Sequence, residues 1–369
     1  MPVSFLLLVL IFEITAKSVH GWGIEGHALV VHLAESQLTI DASEWIKPLL
    51  PWFVSGNLTA VASWPDDIIH ENSNHFDYRN WNWSRPLHYI DLPDWNCNYD
   101  RERDCKNDSC IDGALRNYSQ RVIAADLDRV QHQEALMFLV HFAGDVHQPL
   151  HVSFEGDLGG NKVKGFFMNS TRETNLHSLW DSGLIHIRMS RDFKSNITIY
   201  YEYLYDLMRN QTPTNDDGDF KQWIAESVKL VCEQVYIDEK NITMNASATF
   251  HLGNVYYEKN IPVIEKRIIQ GGQRLGTLLN MLAAKRPKPS TSSSSSSIRS
   301  TSTSSTTFIA STTSTTMPSS SSRKLYWSTT TLIVILSIEF VIVIAFVGIR
   351  MFMRRKQPVT LSFSTRFTK

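Results

Sequence analysis

The strongest limit on what this chain can fold into is an abrupt change of composition at Pro287. From Pro287 to Ser322 the sequence is almost all Ser and Thr, with Pro and few apolar residues. Such a tract cannot bury a core, so residues 287–324 are expected to form a disordered or O-glycosylated stalk. Beyond it, Leu332–Ile349 is an apolar run of 18 residues, near the lower limit for a spanning helix, and predicts one transmembrane helix within 325–349. Arg350, Arg354, Arg355 and Lys356 follow the run, against only Arg323 and Lys324 before it. The positive-inside rule therefore places the tail 350–369 in the cytoplasm. Glu339 falls mid-span, where a carboxylate is expected to be protonated or paired with a neighbour. Any folded core must come from the residues before the stalk.

The other end reads as a secretory signal. Phe5 to Phe12 form a short apolar run, and Val19 and Gly21 are small enough for the cleavage positions. Cleavage is expected after Gly21, which makes residues 1–21 the signal peptide and Trp22 the mature terminus. Nine Asn-x-Ser/Thr sequons follow, at Asn57, Asn82, Asn107, Asn117, Asn169, Asn196, Asn210, Asn241 and Asn245. Together with the signal they predict a glycosylated lumenal or extracellular domain, and hence a type I protein at the cell surface. Four cysteines in an oxidising compartment favour two disulfides. Three pairings are possible. The expected one closes a small loop between Cys105 and Cys110 and joins Cys97 to Cys232. No Cys-x2-Cys spacing supports zinc ligation by these residues.

Residues 22–286 read as one mainly helical domain, all-α in class. Apolar spacing predicts helices over Gly26–Leu38, over Ala42–Leu50 with Asp41 as N-cap, over Glu134–Val146 with Pro149 ending it, and over Ile261–Ala284. The best strand signal is Lys162–Phe167, after the Gly159-Gly160 turn. A formal net charge of −1 gives no long-range attraction for a polyanion. A nucleic-acid substrate would have to be gripped locally, for example by metal ions.

Five stretches combine His with Asp at metal-ligand spacing: Trp22-Gly-Ile-Glu-Gly-His27, Ser63-Trp-Pro-Asp66, Leu87-His88-Tyr-Ile-Asp91, His141-Phe-Ala-Gly-Asp145 running into Gln148-Pro-Leu-His151, and Asn175-Leu-His177-Ser-Leu-Trp-Asp181. In the last two, His and Asp lie four residues apart, so a helix puts both on one face within reach of one ion or two adjacent ions. Imidazole with carboxylate favours zinc over calcium. Such a pair alone is more often a helix-surface hydrogen bond, but His141 lies in the apolar run Leu136–Phe142, where an unpaired imidazole is costly.

The whole set, in this order, closely resembles the zinc-dependent single-strand nucleases of the S1/P1 type, distant relatives of bacterial zinc phospholipase C. The resemblance runs from Trp22 to about Leu282 and includes the cysteines, the Gly159-Gly160-Asn161 turn and Gly271-Gly272-Gln-Arg274-Leu275. It implies three zinc ions. One would be held by Asp66, His88, His141 and Asp145. A second would be held by the free α-amino group and carbonyl of Trp22, by His27, and by Asp145 as a bridge. The third would be held by His151, His177 and Asp181. Asp66 would also orient the attacking water or take its proton. Tyr89, Leu158, Asp91 and Asn161 match the family's base pocket, in which a base stacks between an aromatic and an aliphatic side chain. The implied activity is hydrolysis of single-stranded RNA and DNA to 5′-phosphorylated products, together with removal of the phosphate of 3′-nucleotides. The chain is expected to act as a monomer. The C-terminal anchor is similar to that of the surface 3′-nucleotidase/nucleases of trypanosomatid parasites.

One position departs from the pattern. Ile69 stands where the family usually has Arg or Lys, three residues after Asp66, which leaves His70, Arg79 or Arg85 as substitutes near the phosphate. Two rival readings remain. A zinc phospholipase C is disfavoured by Asp181, where that branch has Glu, and by the five-residue step from Trp22 to His27. A surface adhesion or decoy protein that keeps the fold without turnover is disfavoured by the intact ligand set.

Overall fold

The structure is a computed structural model that describes residues 22–69, 81–210 and 218–287. The expected signal peptide, His70, Arg79, all of the stalk beyond Pro287, the span and the tail lie outside the described residues. Among the described residues, no helix is long and apolar enough to cross a membrane.

The domain is mostly helical. Its main helices are α1 (Ile24–Glu35), α2 (Ile40–Ile46), α3 (Trp64–Ile69), α4 (Ile111–Arg121), α5 (Arg129–Asp145), α6 (Leu184–Asp192), α7 (Ile197–Arg209), α8 (Phe220–Leu230) and α9 (Asn254–Lys285). The all-α expectation needs amending, because among the described residues five short strands form two small sheets. β1 (Ile90–Leu92) pairs in parallel with β2 (Val152–Phe154), with Asp91 opposite Ser153. β3 (Lys164–Phe167) lies between β4 (Thr174–Asn175), antiparallel to it, and β5 (Phe250–Leu252), parallel to it. β3 falls within the expected strand Lys162–Phe167, while the other strands, of two or three residues, leave too short an alternation to read from sequence.

Helix boundaries differ from the sequence expectation by a few residues, and three of the starts show why. Thr39, not Asp41, caps α2: its backbone is extended and its hydroxyl accepts from the Ala42 N–H at 3.2 Å. Asp41 falls instead in the first turn, where it pairs with Arg286 at 2.7 Å. Helix α5 starts five residues before Glu134, because Asp128 and Gln131 form a reciprocal capping box ahead of a polar first turn. Helix α9 starts seven residues before Ile261 and contains Pro262. Its added turns are fixed by buried Tyr256 and Tyr257, with the Tyr256 hydroxyl donating to Val235 O at 2.6 Å. Tertiary packing there outweighs the loss of one backbone donor at the proline.

Helix α9 packs along α1. Gly272 permits this: a Cβ there would lie 2.6 Å from Leu33 Cβ, closer than atoms can approach. Behind α5, Tyr118 of α4 stacks on Phe138 at 4.8 Å and Phe138 on Phe142 at 5.4 Å. The disulfides are Cys97–Cys232 and Cys105–Cys110. All nine sequon asparagines are exposed.

Candidate metal centre

Helix α5 carries the centre. His141 and Asp145, one turn apart on it, are fully buried, and Asp145 divides its carboxylate between two groups of imidazoles. Oδ1 lies 3.2 Å from His27 Nε2, one turn into α1. Oδ2 lies 3.1 Å from both His88 Nδ1 and His141 Nε2. Asp66, in the first turn of α3, adds an oxygen 3.3 Å from His88 and 3.4 Å from His141. His151 follows Pro149, whose ring opens the short turn 149–151. His177 Nε2 and Asp181 Oδ2 are 3.3 Å apart, with Asp181 on the π-helical turn Leu179–Gly183, a form of backbone common at functional sites.

Three groups of ligand atoms are close enough to share an ion: His27, Asp66 and His141; His88, His141 and Asp145; and His151, His177 and Asp181. Grouping His27 with Asp66 and His141 differs from the ligand set expected from sequence, although the 3.2 Å approach of Asp145 to His27 keeps that pair together. Both nitrogens of His27, Asp66 Oδ1, His88 Nε2 and Asp145 Oδ1 are buried without a hydrogen-bond partner. His27 Nε2 and Asp145 Oδ1 are 3.2 Å apart but not angled to bond, as two ligand atoms facing one ion would be. Burying three carboxylates this deeply costs heavily unless a cation compensates. The residues present therefore fit divalent metal, and the imidazole-rich set fits zinc.

Backbone carbonyls fix which nitrogen points inward. His141 Nδ1 donates to Ala62 O at 2.8 Å, His151 Nδ1 to His88 O at 2.6 Å and His177 Nδ1 to Gly159 O at 2.6 Å, which leaves Nε2 for the centre. Gln148 accepts from the Leu150 N–H, so its amide nitrogen donates to Asp181. Burial pushes the Asp181 carboxyl well above its usual range, the Gln148 bond opposes this, and the charges of Asp66 and Asp145 add to it. Burial also acts to raise Asp66, but His141 and His88 outweigh it and hold the group at about 2. Burial lowers His27 to about 4, so its ring is neutral and able to ligate at pH 7.

Trp22 is fully buried at the start of the described residues, and the next backbone N–H, of Gly23, donates to Asp181 O at 2.9 Å. The segment Trp22–Gly23 is thus tied to the third group of ligands.

The residues expected at a base pocket sit on two adjoining segments. Tyr89 and Asp91 lie at β1, and Leu158 and Asn161 in the loop after its partner β2. Leu158 takes a left-handed φ of 57°, and Asn161 Nδ2 donates to its carbonyl at 3.0 Å. Gly159 has no alternative, since φ is 58° and a Cβ would lie 2.6 Å from Leu150 O. Burial and the nearby Glu155 raise Asp91 to about 6. Ile69 is buried at the end of α3, and the Arg85 guanidinium donates to its carbonyl, which brings a cation to the backbone where the family has a basic side chain.

Sequence reading missed a support behind the ligands. His147 is fully buried yet not among the metal groups: Nδ1 donates to Ala143 O at 2.7 Å and Nε2 accepts from Arg274 at 3.0 Å. Burial, then Arg267 and Arg274, hold it neutral. Arg267 donates to His147 O at 3.1 Å, and both arginines share Glu226 at 2.6–2.8 Å. This clamps the end of α5 that bears Asp145. The signal was Arg267 and Arg274, seven residues apart on one face of α9, but His147 lies 127 residues from Arg274.

A helical domain with these imidazole and carboxylate groups around one buried centre is a metal-dependent hydrolase by its geometry. The S1/P1 nuclease family profile matches residues 22–284. The chain is 37% identical to Endonuclease 4 of Arabidopsis thaliana over 287 residues, covering 72% of this chain and 91% of the relative. It is 32% identical to Nuclease P1 of Penicillium citrinum over 278 residues, covering 70% and 97%. It is 28% identical to Nuclease S1 of Aspergillus oryzae over 301 residues, covering 77% and 98%. The chain belongs to the S1/P1 nuclease family. It is a zinc-dependent single-strand nuclease that hydrolyses phosphodiester bonds and uses three zinc ions.

Proposed function

We propose that the chain is a membrane-anchored, outward-facing nuclease and 3′-nucleotidase that cuts single-stranded RNA and DNA to 5′-phosphorylated products. The observation that carries the site assignment is the division of Asp145, with one oxygen toward His27 and the other toward His88 and His141. A carboxylate so placed suits a bridge between two ions. The first is held by Asp66, His88, His141 and Asp145, and the second by Trp22 and His27 with Asp145. His151, His177 and Asp181 hold the third. Zinc bound there supplies positive charge to phosphate oxygens and makes water acidic enough to attack near neutral pH. Asp66, ionised and with Oδ1 unpartnered, orients the attacking water and accepts its proton. A base stacks between Tyr89 and Leu158, with Asp91 and Asn161 on its edge. Stacking contributes ~1–3 kcal/mol whatever the base, so sequence preference is weak and duplex is a poor substrate. In-line attack leaves the phosphate on the 5′ side and a free 3′-hydroxyl.

The apolar run 332–349, the basic residues after it and the nine exposed sequons support a type I surface protein. The test uses the full-length chain in detergent: zinc content by mass spectrometry, with hydrolysis of single-stranded RNA, single-stranded DNA and 3′-AMP. Three zinc ions with 5′-phosphorylated ends and adenosine are expected. Release of 3′-phosphorylated ends would sink the proposed course of cleavage. Three zinc ions without hydrolysis would favour the decoy reading.

A further inference from the structure

Outside the metal centre, a cleft of about 550 Å³ lies between α4, α5 and the turn Asn82–His88, within the ~300–1,000 Å³ of small-ligand sites. None of the proposed metal or base-pocket residues lines it. Its walls are aromatic: Trp81 and Trp83 lie 5.7 and 6.3 Å from Phe138, and Tyr118 stacks on the far side of that ring cluster. Trp83 is 56% exposed among the described residues, an apolar face open at the cleft.

Three of the nine sequons, all within residues 82–119, converge on this cleft. All of Asn107-Asp108-Ser109 lines it, as do Asn117 and Tyr118 of the next sequon and Trp83, the central residue of Asn82-Trp83-Ser84. Asn117 stands on the face of α4 that carries Gly113, Ala114, Tyr118 and Arg121, all lining residues at helical spacing. A sugar on Asn117 therefore leaves a rigid helix directly into a space floored by small residues. The charges along the wall, Arg121 against Asp108 and Glu134, leave no positive excess for a phosphate backbone but suit a neutral saccharide.

We propose that this cleft is the docking site of the N-glycan on Asn117, whose first N-acetylglucosamine residues lie against Trp83. The carbohydrate presents C–H groups to the indole face and hydroxyls to the polar rim, so it covers apolar surface that would otherwise face water. This rests on the outward-facing reading of the domain but not on its nuclease activity.

The test is made on the full-length chain from glycosylating eukaryotic cells, folded and in detergent. Site-resolved release by peptide N-glycosidase is followed by mass spectrometry. Release at Asn117 is expected to be roughly tenfold slower than at Asn196 and Asn241, the factor that ~1.4 kcal/mol of docking provides. Trp83→Ala, at an exposed position, should bring Asn117 to parity. Ser119→Ala, which removes the sequon but keeps Asn117, should raise hydroxyl-radical oxidation of Trp83. Equal release in wild type and Trp83→Ala overturns the proposal, as does an unmodified Asn117 beside modified neighbours. Protection of Trp83 by an oligothymidylate would make the cleft a substrate groove and also overturn it. A chain without glycan at any site overturns the outward-facing reading with it.

Discussion

Replacing Cys97 and Cys232 by serine tests how far the fold depends on a long covalent tie. The bridge spans 135 residues, and restricting a loop of that length in the unfolded chain is worth ~5 kcal/mol at 25 °C. The Cys105–Cys110 bridge spans 5 residues, and the same relation gives only ~2 kcal/mol. Against a total stability of ~5–15 kcal/mol, the first loss is large. At ~2–4 °C per kcal/mol for a domain of this size, the melting temperature should fall by roughly 10–20 °C. The damage should also reach the base pocket. Trp95, two residues from Cys97, packs on Phe154 and Tyr236 at 4.8 and 5.7 Å. The Tyr236 hydroxyl donates to Asp157 at 3.0 Å, and Asp157 accepts the Gly160 N–H at 2.7 Å, within the loop that carries Leu158 and Asn161. Denaturant unfolding of the zinc-loaded double variants, with KM for a dinucleotide, is the assay. The long-bridge variant should lose more stability and show a raised KM with zinc content unchanged. If its loss of stability is no greater than that of the Cys105/Cys110 variant, the loop-length reasoning fails.

Three further outcomes are expected. Asp145→Asn weakens the oxygens shared by His27, His88 and His141, so zinc should fall below three per chain; the affinity loss should exceed the ~10–100-fold typical of residues behind the ligands, and a full zinc complement by mass spectrometry would refute the bridge. Arg85→Ala should raise KM more than it lowers kcat, with Arg85→Lys partly restoring it; unchanged kinetics would show that its bond to Ile69 O is only structural. Asp91 is raised from 3.8 to about 6, so the folded state holds its proton more tightly than the unfolded state and loses stability as pH rises from ~4 to ~6. Asp91→Asn should melt higher than wild type at pH 7 but not at pH 4, and should remove an inflection near pH 6 in KM; parallel melting curves at both pH values would contradict it.

The ligand motifs were legible because helices turn a four-residue step into a shared face, as with His141 and Asp145 on α5. The long apolar part of that helix was equally plain. What escaped was set by partners distant in sequence. His147 and Gln148 sit beside obvious motifs, but their roles depend on Arg274 and Asp181. Thr39 and Asp41 are both good capping types, and only the backbone at Thr39 decides between them. The first turns of α9 owe their helix to buried tyrosines and not to local preference. Ile69, a departure by pattern alone, is in the structure a buried residue whose carbonyl is covered by arginine.

The packing of α9 on α1 has a consequence for when the enzyme can first act. The residues around the centre are spread from Trp22 to Asp181, and the helix that closes over the first of them ends at Lys285. A nascent chain that has exposed only its early segments holds scattered imidazoles and carboxylates, with neither the ridge of α9 against Leu33 nor the arginines that steady His147. Competence should therefore arrive late and all at once, after the last helix has emerged. An RNA that meets the growing chain would then never find a half-made but working copy, because the order of synthesis itself keeps the activity silent until the domain is complete.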